Sequence, residues 1–75
     1  MTVQDALKQC GAVDGTIITY RMWVPVSLSI RVRSVLVGRC RFVNGDLESL
    51  DGDSYSLDDK IEDYDYRPGN LTVYI

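Results

Sequence analysis

Hydrophobic and polar residues alternate from Val26 to Phe42, with Val26, Leu28, Ile30, Val32, Leu36, Cys40 and Phe42 at even positions and Ser27, Ser29, Arg31, Arg33, Arg39 and Arg41 at odd ones. A period of two is the signature of a half-buried β-strand, so the even face is expected in the core and the odd face in water. Those 17 residues exceed the usual strand of about five or six. Gly38 is the natural place for a bend, bulge or break, and Val35 and Val37 spoil the polar face just before it, which predicts strands over 28–37 and 39–43.

The flanks carry different periods. Val3, Ala6, Leu7 and Cys10 fall at helical spacing, Thr2 precedes Asp5 by three residues as in a capping box, and Gly11 supplies a stop; a short amphipathic helix is expected over 3–10. Too short to persist alone, it must lay its apolar stripe on a sheet. Asp14-Gly15 signals a turn, and 16–24 is rich in β-branched and aromatic residues up to Pro25, which reads as a first strand. Asn44-Gly45 turns the chain into 46–57, whose Asp, Ser and Gly clusters read as a loop with room for one helical turn. At the C-terminus, 61–66 and 71–75 flank Arg67-Pro68-Gly69-Asn70, with Pro and Gly where a type II turn wants them. The predicted fold is a single α+β domain: a short N-terminal helix packed on a mostly antiparallel sheet of about four strands, ending in a C-terminal β-hairpin.

Composition narrows the chemistry. Histidine is absent from the 75 residues, which removes the commonest general base, proton shuttle and metal ligand. Cys10 and Cys40 form neither a disulfide framework nor a Cys-x-x-Cys pair and read as small buried hydrophobes. The N-terminus has no cationic segment leading into an apolar region and no run is long enough for a membrane helix, so a cytoplasmic protein without membrane contact is expected. Asn70-Leu71-Thr72 matches a glycosylation acceptor, but without an export signal it is more simply a turn entering a strand.

The net charge of −3 hides an asymmetry. Residues 1–43 hold six basic and two acidic side chains, for +4, and residues 44–75 hold two basic and nine acidic ones, for −7. The simplest explanation pairs the odd-position arginines across strands with Asp63 and Asp65. Two sharper readings stand beside it. The acidic stretch, with Asp51, Asp53, Asp58 and Asp59 as candidate partner-binding residues, imitates a phosphate ladder and docks on a basic nucleic-acid-binding partner. Alternatively Arg31, Arg33, Arg39 and Arg41 form a platform for single-stranded nucleic acid with Tyr20 and Trp23 beside them. The aromatics have their own alternatives: Trp23, Tyr64 and Tyr66 as packing, or an exposed Tyr20, Trp23 and Tyr74 patch, with open strand edges offering β-augmentation or homodimer pairing.

Catalytic and metal chemistry find little support. Asp51, Asp53 and Glu62 occupy positions 1, 3 and 12 of a calcium loop, but Tyr55, Ser56 and Asp58 stand where that loop needs a ligand, a turn glycine and an apolar residue. Cysteines and serines lack a histidine to activate them. Adjacent carboxylates such as Asp58 with Asp59 or Glu62 with Asp63 point to opposite faces if extended and cannot share a substrate. No catalytic residue, metal ligand or cofactor is assigned, and the protein is not expected to be an enzyme.

The opening MTVQDALK, the Gly-Arg-x-Arg segment from Gly38 to Arg41 and the closing DDKIEDYDYRPGNLTVYI resemble small uncharacterised proteins carried on conjugative transposons and prophages of low-GC Gram-positive bacteria. The resemblance implies a cytoplasmic accessory protein of a mobile element without a recognised activity, and transfers no functional residue; separately, a protein partner is expected, and a monomer or homodimer. The expected function is a non-enzymatic protein-interaction module, with a nucleic-acid-associated protein as the alternative.

Overall fold

The structure is a computed structural model that describes residues 1–26 and 32–75. Its elements run α1 (Val3–Cys10), β1 (Ile17–Pro25), β2 (Val32–Val43), β3 (Asp46–Ser49), β4 (Asp63–Arg67) and β5 (Asn70–Tyr74). The helix begins as its sequence dictates: the Thr2 hydroxyl accepts from the Asp5 N–H at 3.2 Å and the Asp5 carboxylate accepts from the Thr2 N–H at 2.9 Å. These reciprocal bonds close the capping box, and the Thr2 bonds hold the Asp5 carboxyl below its ordinary range. Two further N–H groups of the first turn, on Val3 and Gln4, donate to the carbonyls of Asp59 and Leu57 at 3.0 Å. That contact straps residues 57–59 across the helix start. Gly11, at φ +66, ends the helix in the left-handed conformation that favours glycine.

The strands form one five-stranded mixed sheet in the order β3-β2-β1-β5-β4. The α+β class holds, with five strands rather than about four. Asn44 and Gly45, at φ 52 and 78, form the two-residue turn that returns β2 into β3, so Asp46–Ser49 is an edge strand and not the start of the expected loop. Pro68-Gly69 closes the β4–β5 hairpin with Gly69 at φ +84, as a type II turn requires. β1 pairs antiparallel with β2 and parallel with β5. Residues 50–62 carry the chain from one edge of the sheet to the other.

One face of the sheet is covered. Ile18 and Tyr20 of β1, Cys40 of β2 and Leu71 and Val73 of β5 are buried together with Val3, Ala6 and Leu7 of the helix and with Ile61. Tyr55 lays its ring on Tyr20 with centroids 4.9 Å apart. Burial pushes the Cys40 thiol up to about 12, which makes it the inert small hydrophobe that its position suggests.

The alternation of β2 does not run through as expected. Tyr20 pairs with Gly38 and Arg21 with Leu36, so Val37 is an extra residue and β2 is one continuous bulged strand. A bulge changes the phase between parity and face. Cys40 and Phe42 lie on the helix side, whereas Val32 and Leu36, even-numbered as they are, pair with Pro25 and Arg21 on the opposite side. Val32 and Leu36, expected in the core, are therefore exposed, and Val26, just past the end of β1, is exposed as well. Leu28 and Ile30 of the same series, with Ser27 and Ser29, lie outside the described residues.

Gly38 earns its place by close approach. A Cβ there would collide with the Tyr55 hydroxyl and press on the Asp51 carboxylate. The glycine thus lets the loop seal the sheet at the bulge.

Candidate functional site

The acidic candidates divide into two kinds. Asp51 is a loop organiser: its carboxylate accepts from the Tyr55 hydroxyl, from the backbone N–H groups of Arg39 and Asp53 at 3.0 Å, and from the Ser49 hydroxyl at 3.2 Å. The Tyr55 bond first, then the Arg39 N–H, holds its carboxyl down at about 2. Asp59 accepts from the Tyr20 hydroxyl and the Ser56 N–H, both at 2.9 Å. Burial foremost, and that bond to Asp59 next, push ionisation of Tyr20 well above the usual phenol range. Asp53 and Asp58 are exposed. Among the described residues no three cysteine or carboxylate side chains gather as a metal would need.

The basic candidates are divided as well. Arg39 and Arg41 are exposed and pair with Thr19 and Ile17, whose side chains face away from the helix. Arg33 pairs with Val24 and lies on the helix side of the ribbon, because the Val37 bulge separates it from Arg39. Arg31 lies outside the described residues. Nor do Arg39 and Arg41 pair with Asp63 and Asp65: β1 and β5 stand between β2 and β4. The ion pair found among the described residues is Arg67 with Asp65, 3.6 Å apart on a single strand and largely exposed.

What the fold brings together is an open sheet face. Side chains of Ile17, Thr19, Arg21 and Trp23 on β1 share it with Arg39, Arg41 and Leu36 on β2. Asn70, Thr72 and Tyr74 on β5 and Asp63 and Asp65 on β4 complete it. Trp23 stacks on Tyr74, with ring centroids 5.1 Å apart and planes 12° from parallel. The Arg21 guanidinium is pinned across the ribbon, donating to the Ser34 hydroxyl at 2.9 Å and to the Ser34 carbonyl at 3.0 Å. Nearer the seam, the Thr19 hydroxyl bonds Asn70, whose amide in turn bonds Thr72, each at 3.1 Å. Polar groups near the middle of this face are thereby satisfied, and its outer part offers apolar surface.

That outer part is a two-stranded ribbon. β5 reaches β1 only as far as Arg21, so Met22, Trp23, Val24 and Pro25 have β2 alone as a neighbour. Trp23 is 49% exposed, Leu36 51% and Val32 60%. Met22 and Val37 add exposed apolar surface on the ribbon's other side. Such a concentration is unusual for a solvated surface, since single exposed apolar residues are ordinary and contiguous patches mark contacts.

Tyr20 is not part of this patch; it is buried under Tyr55. Trp23 and Tyr74 are the two members of the expected aromatic group that meet. Val32 and Leu36 were hidden from sequence reading because parity alone assigned them to the core. The Val35-Leu36-Val37 run, which interrupts the alternation, is the signal that could have located the change of face.

A hollow lies on the covered side, where Gln4, Leu7, Lys8, Ala12, Phe42 and Leu57 line a cleft of about 350 Å³ between helix and loop. No described helix is long and apolar enough to cross a membrane. Compared with models of protein families, with curated proteins and with solved structures, the chain shows no significant match.

Proposed function

We propose that this chain is a non-enzymatic protein-interaction module, an accessory of a mobile element as its resemblance implies, that engages a protein through the open sheet face and the ribbon extending it. The observation that carries this reading is the grouping of Trp23, Val32 and Leu36 on one uncovered face. Aromatic and aliphatic side chains beside arginines are the composition of interface cores. The acidic-mimic version is weakened by the internal bonds of Asp51 and Asp59, which leave Asp53 and Asp58 as its free members. The nucleic-acid reading has Arg39, Arg41 and the Trp23–Tyr74 stack in its favour, but Asp63 sits directly beside Tyr74 on the same face. A carboxylate there repels the phosphate that such a platform must attract.

Capture from a host lysate by the tagged chain, with and without nuclease, tests the reading. The expected result is a nuclease-resistant protein that survives moderate salt and is lost with Val32→Ser plus Leu36→Ser, while circular dichroism of the variant is unchanged. Nuclease-sensitive material, retained by that variant and lost with Arg39→Ala plus Arg41→Ala, would overturn it in favour of nucleic acid.

A further inference from the structure

The outermost strands of the sheet guard their edges. In β3 the backbone N–H of Leu47, which points away from β2, donates to the carboxylate of the preceding Asp46 at 2.8 Å. In β4 the outward N–H of Tyr64 donates in the same way to Asp63, also at 2.8 Å. Asp46 and Glu48 on β3, with Asp63 and Asp65 on β4, add negative charge to both strands. An edge left open is a template for another strand, and charged side chains and blocked donors close it.

One stretch of β2 carries no such guard. β3 pairs with β2 from Cys40 to Val43, and the line of β3 ends where the Leu50 N–H donates to the Arg39 carbonyl at 3.2 Å. Beyond that point β2 continues to Val32 with β1 on one side and no described strand on the other. The ladders fix which way its backbone groups point. Ile17 and Arg21 of β1 bond towards β5, so Met22 and Val24 bond towards β2, where Val35 and Arg33 are their partners. Leu36, Ser34 and Val32 therefore turn their N–H and C=O groups outward, at every second residue and a repeat of about 6.6 Å. The Ser34 carbonyl accepts from Arg21. Among the described residues no side chain accepts from the Ser34 or Leu36 N–H, in contrast to Leu47 and Tyr64.

The side chains along this stretch define what fits it. Where β3 ends, the exposed Leu36, Val37 and Leu50 line a hollow of about 410 Å³ with Arg39 and Asp51. Arg33 and Arg39 are exposed, and the ion pair found among the described residues involves neither. Asp51, the carboxylate in the hollow, is already engaged by the Tyr55 hydroxyl and by the N–H groups of Arg39 and Asp53. We propose that β2 from Val32 to Leu36 is a docking edge for an extended segment of a partner protein that carries apolar and acidic side chains. The segment adds as a strand in the line of β3, sets an apolar side chain in the hollow and places carboxylates beside Arg33 and Arg39. In this mode of recognition backbone bonds supply affinity, and pockets for alternate side chains supply selectivity. The proposal rests on the reading of the ribbon as protein-binding and gives the form and charge of what it binds. A surface laid flat on the open face would cover Trp23 and Leu36 but leave the outward amide groups of β2 unmatched, whereas an extended backbone repeats its own groups at the same spacing.

The probe is a displayed library of unstructured peptides, about eight residues long, selected on the full chain. Selection is expected to enrich apolar and acidic residues together. Binding of a selected peptide should slow amide exchange at Ser34 and Leu36. Methylating the peptide's backbone nitrogens should abolish binding at one alternate set of positions and be tolerated at the other, since one set alone faces β2. Arg33→Glu with Arg39→Glu should weaken binding about tenfold or more, and Leu50→Ser should weaken it by a smaller factor, with circular dichroism unchanged in both. A library that yields no binder, peptides indifferent to backbone methylation, or protection confined to Trp23 and Tyr74 overturns the proposal. So does protection of Ser34 and Leu36 that grows with protein concentration in the absence of peptide, which would assign the edge to a second copy. If capture dependent on Val32 and Leu36 persists after such a failure, the ribbon binds a folded surface instead; if capture is lost as well, the protein-binding reading falls with it.

Discussion

Along β1, Ile18 and Tyr20 are buried, whereas Met22 and Trp23 a few residues on are exposed. Nothing in their residue types separates these two halves. The inner half lies between β2 and β5 with the helix and the Tyr55 loop above it, and the outer half has β2 alone. The comparison teaches that a β-strand's apolar face is an offer of burial, taken up only where another layer arrives. The outer half keeps its offer open, and binding is the use to which such a surface can be put.

Truncation should separate the halves most sharply. Ile18→Ala, in the fully buried half, should cost about 2–5 kcal/mol, out of a total of about 4–11 kcal/mol for a domain of this length. Urea unfolding with an unchanged slope would report it. A loss below about 1 kcal/mol would mean that the inner half is no better packed than the ribbon.

Next in size is Gly38→Ala, at the boundary between the halves. Restricting the unfolded chain favours alanine by about 0.4–1 kcal/mol, but the new Cβ must displace the Tyr55 hydroxyl, and overpacking costs about 1–3 kcal/mol. Net destabilisation is expected in thermal unfolding. Tyr55→Leu should make the same change cheaper, since the two positions are in contact.

A smaller effect appears in acid. The Asp51 carboxyl is ordinarily protonated near 3.8 and is held at about 2 when folded. A depressed folded value contributes stability above the unfolded one and loses it as pH falls, so the contribution is complete above about pH 4 and disappears towards pH 2. Urea midpoints measured between pH 5 and pH 2 should fall less steeply in Asp51→Asn than in the wild type. Equal slopes would remove Asp51 from its place as anchor of the loop over the bulge.

The smallest change is expected in the outer half itself. Leu36→Ala or Val32→Ala should alter stability by no more than about 0.5 kcal/mol, because these side chains are already in water. The same substitutions should impair partner capture, and a large stability loss would show that the ribbon is packed after all.

Local chemistry was legible where a local contact decides structure. The capping box of Thr2 and Asp5, the Gly11 stop, Asn44-Gly45, Pro68-Gly69 and the first strand up to Pro25 are all found where their residue types place them. Those features depend on bonds or backbone angles within a few residues, which composition fixes directly. Gly38 was legible as an irregularity, though as a bulge inside one strand and not a break between two. The candidate site was less so: Trp23 and Tyr74 could be named, Val32 and Leu36 were assigned to the wrong face, and Arg33, grouped with Arg39 and Arg41 by parity, lies across the bulge from them.

Local residue chemistry sets the helix capped at Thr2, the strands that follow it and the places of the tight turns. Tertiary structure alone decided that β5 enters beside β1 in parallel, that residues 50–62 cross one face and leave the other open, and that Val37 is the surplus residue in the β2 ladder. The physical reason is one of range. Periodicity records how often a side chain returns to the same side, but which side is inside depends on which distant segment packs there, and a single bulge reverses the answer for every residue beyond it.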